Sequence, residues 1–157
     1  MSVDGAELVE QSAEGGPLNI GLLCFIVSRA MEDRVLSDLA AAGFDDVTAA
    51  QGRVFARIDP DGTRITELAE RAQVTKQTAG FLVDQLERAG YVRRVPDPRD
   101  ARARLVRIAE RGQAAVAVAR QTEAAVEAEW TRHLGRAGAA QLRRALTRLR
   151  EITDPYQ

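Results

Sequence analysis

Few side chains in this sequence could take part in catalytic chemistry. The 157 residues contain one cysteine, Cys24, and one histidine, His133, in unrelated segments. A single thiol cannot form an internal disulfide, and one histidine with one cysteine argues against a zinc site. The carboxylates are plentiful but form no recognisable catalytic pattern. We therefore expect a protein that is not an enzyme and that uses no metal and no cofactor.

Side chains suited to molecular recognition lie instead in the middle of the chain. Thr75, Lys76, Gln77 and Thr78 follow one another at the start of a predicted helix. Hydroxyls and helix N-terminal amides suit phosphate oxygens, the amide of Gln77 can pair with adenine, and Lys76 can reach guanine or phosphate. Phe81 is predicted on the solvent side of this helix. It could contact a thymine methyl group, or equally pack against the neighbouring helix and hairpin.

A second polar cluster follows about twenty residues later and consists of Arg99, Asp100 and Arg102. An arginine that enters a narrow DNA minor groove is stabilised there by the negative potential. Phosphate would repel Asp100, so we expect its carboxylate to hold Arg102 in a fixed geometry.

The charge of the chain is unevenly distributed. The net charge is −1, yet residues 62–112 contain eleven basic and seven acidic residues. The first seventeen residues contain acidic residues but no lysine or arginine. A basic patch can mark a surface for a polyanion, because neutralising phosphates supplies most of the sequence-independent binding energy. A solvated arginine-rich surface explains the charge count equally well.

The apolar spacing predicts the elements that must position these clusters. A long amphipathic helix runs from Leu18 to Ala42, and a capping box from Thr48 to Gln51 opens a second helix. Thr66 and Thr75 are predicted to cap two short helices joined by a tight turn. Apolar positions of the second short helix are expected to face the core: Ala79, Leu82, Val83 and Leu86.

The remainder of the chain predicts a hairpin and two more helices. Residues 91–95 and 104–108 are of strand length and rich in β-branched side chains, and residues 96–103 form a long, charged loop between them. Helices are expected over 109–134 and, after Gly135 to Gly138, up to residue 153. Two short helices and a hairpin make a winged helix-turn-helix, whose second helix is sized for the major groove. The predicted fold class is thus mainly α with a small β-hairpin wing.

The predicted organisation has four parts. Residues 1–17 are a flexible acidic tail, 18–43 an N-terminal dimerisation helix, 44–112 the DNA-binding domain, and 113–153 the C-terminal dimerisation helices. Dimerisation is expected because the terminal helices have apolar stripes that a small domain cannot cover. No stretch is long and apolar enough for a membrane span, and the acidic start does not resemble a secretory signal, so we expect a cytoplasmic protein.

Two stretches, Leu68 to Val92 and Val95 to Val106, resemble the MarR family of bacterial transcriptional regulators. The most specific part is Asp97-Pro98-x-Asp100-x-Arg102, followed by Glu110-x-Gly112, and the resemblance extends over about residues 18–153. It implies a homodimer that binds a palindromic operator in double-stranded DNA through two recognition helices and two wings, with release by a small phenolic or aromatic-acid effector. On the matching positions the recognition helix starts at Thr75, and Arg102 is the wing arginine with Asp100 as its partner.

The sequence departs from the family pattern at three positions. Gln73 stands where glycine is common in the turn, and Gly80 and Phe81 stand where a hydroxyl residue and often arginine occur. The operator preference of relatives is therefore not expected to transfer.

Three questions stay open at the level of the sequence. Some members of the family sense peroxides through a cysteine placed like Cys24, but the tyrosines that would contact it are missing, so a small buried side chain is the favoured interpretation. Arg53 and Arg57 could bind an effector carboxylate or be solvated, and Trp130 with His133 could edge an effector pocket. A winged-helix module that binds protein instead of DNA is the alternative function.

Overall fold

The structure is a computed structural model that describes residues 16–154 and residue 156. Most of the expected tail, residues 1–15, lies outside the described residues. Five helices and one hairpin occur in the described part: α1 (Ile20–Ala41), α2 (Ala49–Phe55), α3 (Ile65–Arg71), α4 (Lys76–Arg88), β1 (Val92–Asp97), β2 (Asp100–Ile108) and α5 (Glu110–Thr153). The prediction of a mainly helical winged helix-turn-helix is confirmed.

One apolar core lies between the short helices and the hairpin. Its most deeply buried side chains come from α2, α3, α4 and the strands: Val54, Leu68, Val83, Leu86, Tyr91 and Val106. The four positions of α4 predicted to face inward are all buried. The core therefore fixes which face of α4 points outward.

The helix starts show why the short helices form where they do. Thr48 and Gln51 make the predicted capping box, with Thr48 N donating to Gln51 Oε1 at 2.9 Å and Gln51 N donating to Thr48 Oγ1 at 3.2 Å. Thr75 caps α4 as predicted and accepts from Thr78 N at 3.1 Å. The predicted cap at Thr66 is wrong, because α3 begins at Ile65.

The earlier start of α3 follows from a short β-bridge. Thr63 exchanges two backbone hydrogen bonds with Val106 of β2, at 3.0 and 2.9 Å. This bridge sets the extended conformation that Arg64 continues as the N-cap, so the chain enters the helix two residues before Thr66 can act as a cap.

The hairpin is longer, and its connection shorter, than the sequence predicted. The strands extend to Asp97 and Asp100, so only Pro98 and Arg99 connect them. The register pairs Pro96 with Arg104 and Asp97 with Asp100, which leaves residues 101–103 of β2 as a bulge. The sequence predicted that the loop begins at Pro96, because proline cannot donate a backbone hydrogen bond. In an edge strand proline is tolerated, since the outer edge needs no hydrogen bond to a neighbouring strand.

The last element, α5, comprises the two helices that the sequence predicted, joined by a sharp kink at Gly135. There φ is 74° and ψ is 157°, a conformation outside the helical region that glycine adopts without strain. Arg143 Nη2 lies 2.8 Å from Glu127 Oε2, although in a straight helix these residues would be about 24 Å apart. The helix thus folds into a first arm (110–134) and a second arm (136–153) that face each other.

Helix α1 packs along the first arm of α5. Asp38 accepts a hydrogen bond from Thr122 Oγ1 at 2.7 Å, and Arg34 Nη1 lies 3.4 Å from Glu129 Oε2. These contacts join the start of the chain to its end, on either side of the helix-turn-helix.

Candidate nucleic-acid interface

The outward face of α4 presents the polar side chains that the sequence singled out. Thr75, Lys76, Gln77 and Thr78 are all exposed at the helix N-terminus. The Thr75 hydroxyl is engaged in capping and also donates to Thr78 Oγ1 at 2.9 Å. The side chains of Lys76 and Gln77 are therefore the ones free to reach a ligand from this turn.

Phe81 lies one turn further along the same face, and 58% of its surface is exposed. The alternative in which Phe81 packs against the neighbouring helix and hairpin is wrong, because the inward positions are already filled by Leu82 and Val83. Gly80 beside it has no heavy atom within 4 Å of an added Cβ. The exposed ring of Phe81, beside a residue without a side chain, is thus an apolar group on a mostly polar surface.

The hairpin tip presents two arginines. The Arg99 side chain is 82% exposed, and Arg102 is exposed in the middle of the bulge. The expected ion pair between Asp100 and the Arg102 side chain does not form in the described part of the chain. Asp100 Oδ1 instead accepts from the backbone N–H of Arg102 at 3.1 Å, because the two residues lie in the same bulged turn. The Arg102 guanidinium therefore has no ion-pair partner among the described residues.

Beneath the tip lies a buried carboxylate that sequence reasoning missed. Asp97 is 2% exposed, and its Oδ2 accepts from Nε and Nη2 of Arg64 at 2.8 and 2.6 Å. Its Oδ1 accepts from the backbone N–H of Arg99 at 2.9 Å. These bonds hold the pKa of the Asp97 carboxyl below its usual range, with the Arg99 N–H as the largest cause. The motif around Asp97 was visible in the sequence, but nothing in it indicated a partner thirty-three residues away.

A second arginine fixes the base of the hairpin to α4. Arg94 of β1 contacts Glu87 Oε2 at 2.5 Å and Asp84 Oδ1 at 2.7 Å. Both acidic side chains belong to α4, so their charges are neutralised where they would otherwise repel a polyanion. The hairpin is thus tied to the helix-turn-helix at its tip and at its base.

The fold that positions these side chains is similar to that of solved structures. A crystal structure of MarR matches with a TM-score of 0.71 at 23% identity, over 87% of this chain and 98% of that one. Wild-type MarR from E. coli in its apo form matches with a TM-score of 0.67 at 25% identity, over 85% of this chain and 98% of that one. A mutant of S. aureus MepR bound to an oligodeoxyribonucleotide matches with a TM-score of 0.56 at 20% identity, over 88% of this chain and 100% of that one.

The sequence match falls on the same elements. Residues 45–103, from the loop before α2 to the bulge of the hairpin, match the model of the MarR family. In this part the chain is similar to the MarR family, and its described fold is similar to that of solved MarR structures. A comparison with curated proteins finds no match.

Among the described residues, the unpaired charges around the hairpin are mostly basic. Five of the seven acidic side chains of residues 62–112 lie within 4 Å of an arginine: Glu67 near Arg71, Asp84 and Glu87 near Arg94, and Asp97 and Asp100 near Arg64. Several basic side chains form no ion pair with any described residue: Lys76, Arg93, Arg102, Arg104 and Arg107. The basic excess counted in the sequence therefore survives as accessible charge.

The first and last helices present exposed apolar side chains. On α1 they occupy the first two turns, and on α5 they follow the second arm: Ile20, Leu23, Phe25, Ile26, Val27, Leu142, Leu146, Leu149 and Ile152. Ile152 is 83% exposed. A surface of this extent is unusual for a chain that works alone.

Cys24 lies on this uncovered part of α1 and is exposed. The prediction that it is a buried side chain is wrong for the single chain, because no described element packs over the first turns of α1. Within the described residues the thiol is therefore uncovered.

Arg53 and Arg57, expected as possible effector ligands, both hold carboxylates. Arg53 Nε and Nη2 donate to the two oxygens of Glu32 on α1 at 2.9 and 3.1 Å, and Arg57 lies 3.8 Å from Asp154 after α5. The Arg53 hydrogen bond is the main reason why the pKa of Glu32 is lowered. Arg53 thus connects α2 with α1, and Arg57, two residues after α2, lies near the end of α5.

A groove of about 320 Å³ separates the two arms of α5. Trp130 and Leu134 line it from the first arm and Leu142 and Leu146 from the second, whereas His133 is exposed and does not line it. Within residues 16–154 and 156, no helix combines the length and apolar character of a membrane span. The same residues contain no cluster of three or more side chains suited to a metal ion.

Proposed function

We propose that the chain is a dimeric transcriptional regulator that binds double-stranded DNA, with α4 in the major groove and the hairpin wing in the minor groove. The observation that carries the proposal is the outward face of α4, where Lys76, Gln77 and Phe81 are exposed on a helix anchored by four buried residues. A helix held in this way can enter a groove as a rigid body.

Within this arrangement Gln77 and Phe81 read base edges. The Gln77 amide can donate to and accept from adenine, and the Phe81 ring can contact a thymine methyl group. Thr75, Lys76 and Thr78 lie at the helix N-terminus, where hydroxyls, amides and positive charge suit phosphate oxygens.

The wing would supply shape-dependent contacts. Arg99 and Arg102 are exposed at its tip, and an arginine in a narrow minor groove reads groove width more than base identity. Asp100 has a supporting role through the Arg102 backbone. The DNA-bound relative, S. aureus MepR, supports this placement by its shared fold.

The apolar surfaces of α1 and of the second arm of α5 support a homodimer. A two-fold axis relating two copies would present two α4 helices to two half-sites, so the operator is expected to be palindromic. The same interface would cover Cys24, which favours a packing role for this thiol over a peroxide-sensing one.

An aromatic acid is the proposed effector, acting at Arg53 and Arg57. Arg53 of α2 and Arg57 just after it pair with carboxylates of the first and last helical segments, so a competing carboxylate would loosen the helix-turn-helix from its support. Addition of benzoate is expected to lower DNA affinity for the native chain and to leave Arg53→Gln unaffected. An unchanged affinity of the native chain for DNA would remove this part of the proposal.

DNA binding itself is tested by equilibrium titration against a duplex at several salt concentrations. The logarithm of the affinity is expected to fall linearly with the logarithm of salt, with a slope of about −0.9 for each phosphate contact. Arg102→Ala should weaken binding to all duplexes, and Gln77→Ala should change sequence preference. A flat salt response with no retention of DNA would favour the protein-binding module instead.

A further inference from the structure

We infer that Arg64 is a positioning residue for the wing, which sets the direction of the tip arginines without itself contacting DNA. The inference rests on the proposed DNA-binding function and adds to it a residue that lies outside both the recognition helix and the hairpin. Three features of the site support it.

The first is the geometry of the Arg64 contact. Arg64 is the N-cap of α3, and its guanidinium donates twice to one carboxylate oxygen of Asp97, at 2.8 and 2.6 Å. A two-point contact fixes orientation as well as distance. Because α3 packs on α4 and Leu68 of α3 is fully buried, the guanidinium stands on the same rigid unit as the recognition helix.

The second is the position of Asp97 in the hairpin. It is the last residue of β1, and its other oxygen accepts from the Arg99 backbone N–H at 2.9 Å. Arg64 therefore holds a carboxylate that in turn holds the two-residue turn. Arg64 Nη2 also lies 3.6 Å from Asp100 Oδ2, at the start of the bulge that contains Arg102.

The third is the burial of the carboxylate. The Asp97 side chain is fully shielded from solvent, and a buried charge is costly unless it stays paired. If Arg64 were lost, Asp97 would have to move toward water or gain a proton, and either change would release the turn. The tip arginines would then sample several directions, which weakens their fit to a narrow groove.

The test uses two duplexes and the full-length dimer. One duplex is recovered from a random pool by the native chain, and the other keeps the same half-sites but has G·C pairs at the positions beneath the wing. The native chain should prefer the first by about fivefold or more, within the usual range for altered base pairs. For Arg64→Gln this preference should fall to within about twofold, while the Gln77-dependent preference inside the half-sites stays unchanged.

A matched control comes from the same helix. Arg71 also pairs with carboxylates, Asp59 at 2.8 Å and Glu67 at 2.5 Å, but it does not touch the hairpin. Arg71→Gln should keep the native preference between the two duplexes. Arg64→Lys, which keeps the charge but not the two-point contact, should recover only part of it.

A double-mutant cycle separates positioning from direct contact and from general loss of stability. In a chain that already has Arg99→Ala and Arg102→Ala, adding Arg64→Gln should change DNA affinity by less than about twofold. An additive loss in that chain would show that Arg64 acts by another route and would overturn the inference. Failure of the native chain to bind any duplex would instead overturn the proposed function, so the two failures are distinguishable.

Discussion

Gly112 lies where α5 begins, and adding one methyl group there should destabilise the whole domain. An added Cβ would lie 2.2 Å from the Tyr91 carbonyl oxygen, 2.8 Å from Ile108 Cγ2 and 3.2 Å from Phe55 Cε2. The closest of these atoms belongs to the backbone, and it already accepts a hydrogen bond from Ala109 N at 2.9 Å. Relief of the contact must therefore move the junction between α4 and β1.

The expected cost of Gly112→Ala can be assembled from three contributions. Overpacking costs about 1–3 kcal/mol, and weakening the Ala109 hydrogen bond costs about 1 kcal/mol. Alanine regains about 1 kcal/mol over glycine through its higher helix propensity. The free energy of unfolding should fall by about 2 kcal/mol, which corresponds to roughly 4–8 °C in Tm for a chain of this length.

Thermal and urea unfolding followed by circular dichroism, at one fixed protein concentration, measure this change. Gly52→Ala is the matched control, since Gly52 is also helical but has nothing within 4 Å of an added Cβ. The control should be as stable as the native chain or up to about 1 kcal/mol more stable. If Gly112→Ala behaved like Gly52→Ala, the packing described between α5, α2 and the base of the wing would be incorrect.

Three further results are expected. Gln73 has a φ of 55°, a left-handed conformation that is strained for residues other than glycine. Gln73→Gly should therefore raise the free energy of unfolding in a urea titration by up to about 1 kcal/mol. An equal or greater increase for Gln73→Val would contradict the strain. Burial and the hydrogen bond to Asp46 raise the pKa of Tyr91 to about 12. The protonated phenol therefore stabilises the folded state below the ordinary tyrosine pKa of about 10, and this stabilisation is lost as the pH rises towards 12. Stability should therefore fall between about pH 10 and pH 12 in a way that Tyr91→Phe abolishes; an identical alkaline profile for both proteins would refute this. The native chain should scatter light as a dimer and Leu146→Glu as a monomer, and equal masses for the two would argue against the proposed interface.

Local patterns in the sequence were enough to predict much of this fold. Apolar spacing located α4 and its four buried positions, and the caps at Thr48 and Thr75 follow from short-range hydrogen bonds that a sequence displays directly. The errors arise where distant segments meet. The bridge between Thr63 and Val106 moved the start of α3, and a proline at the sheet edge concealed the full length of the wing.

The same distinction applies to the candidate site. Residues 75–78 and the tip arginines were visible as a cluster of recognition chemistry, but their supports were not. The Arg64–Asp97 contact joins residues thirty-three positions apart, and the Arg94 contacts join a strand to a helix. A single sequence contains no signal for such pairs, because any of the many arginines could have been the partner.

Selection of duplexes from a random pool by the native chain, followed by sequencing, tests the central proposal most directly. The account predicts enrichment of two inverted half-sites whose centres lie about one helical turn, or a multiple of it, apart. A·T-rich steps should be enriched at the flanks beneath the wings. Recovery of a pool as random as the starting one, or of motifs with no two-fold symmetry, would contradict a dimeric reader that places α4 in the major groove.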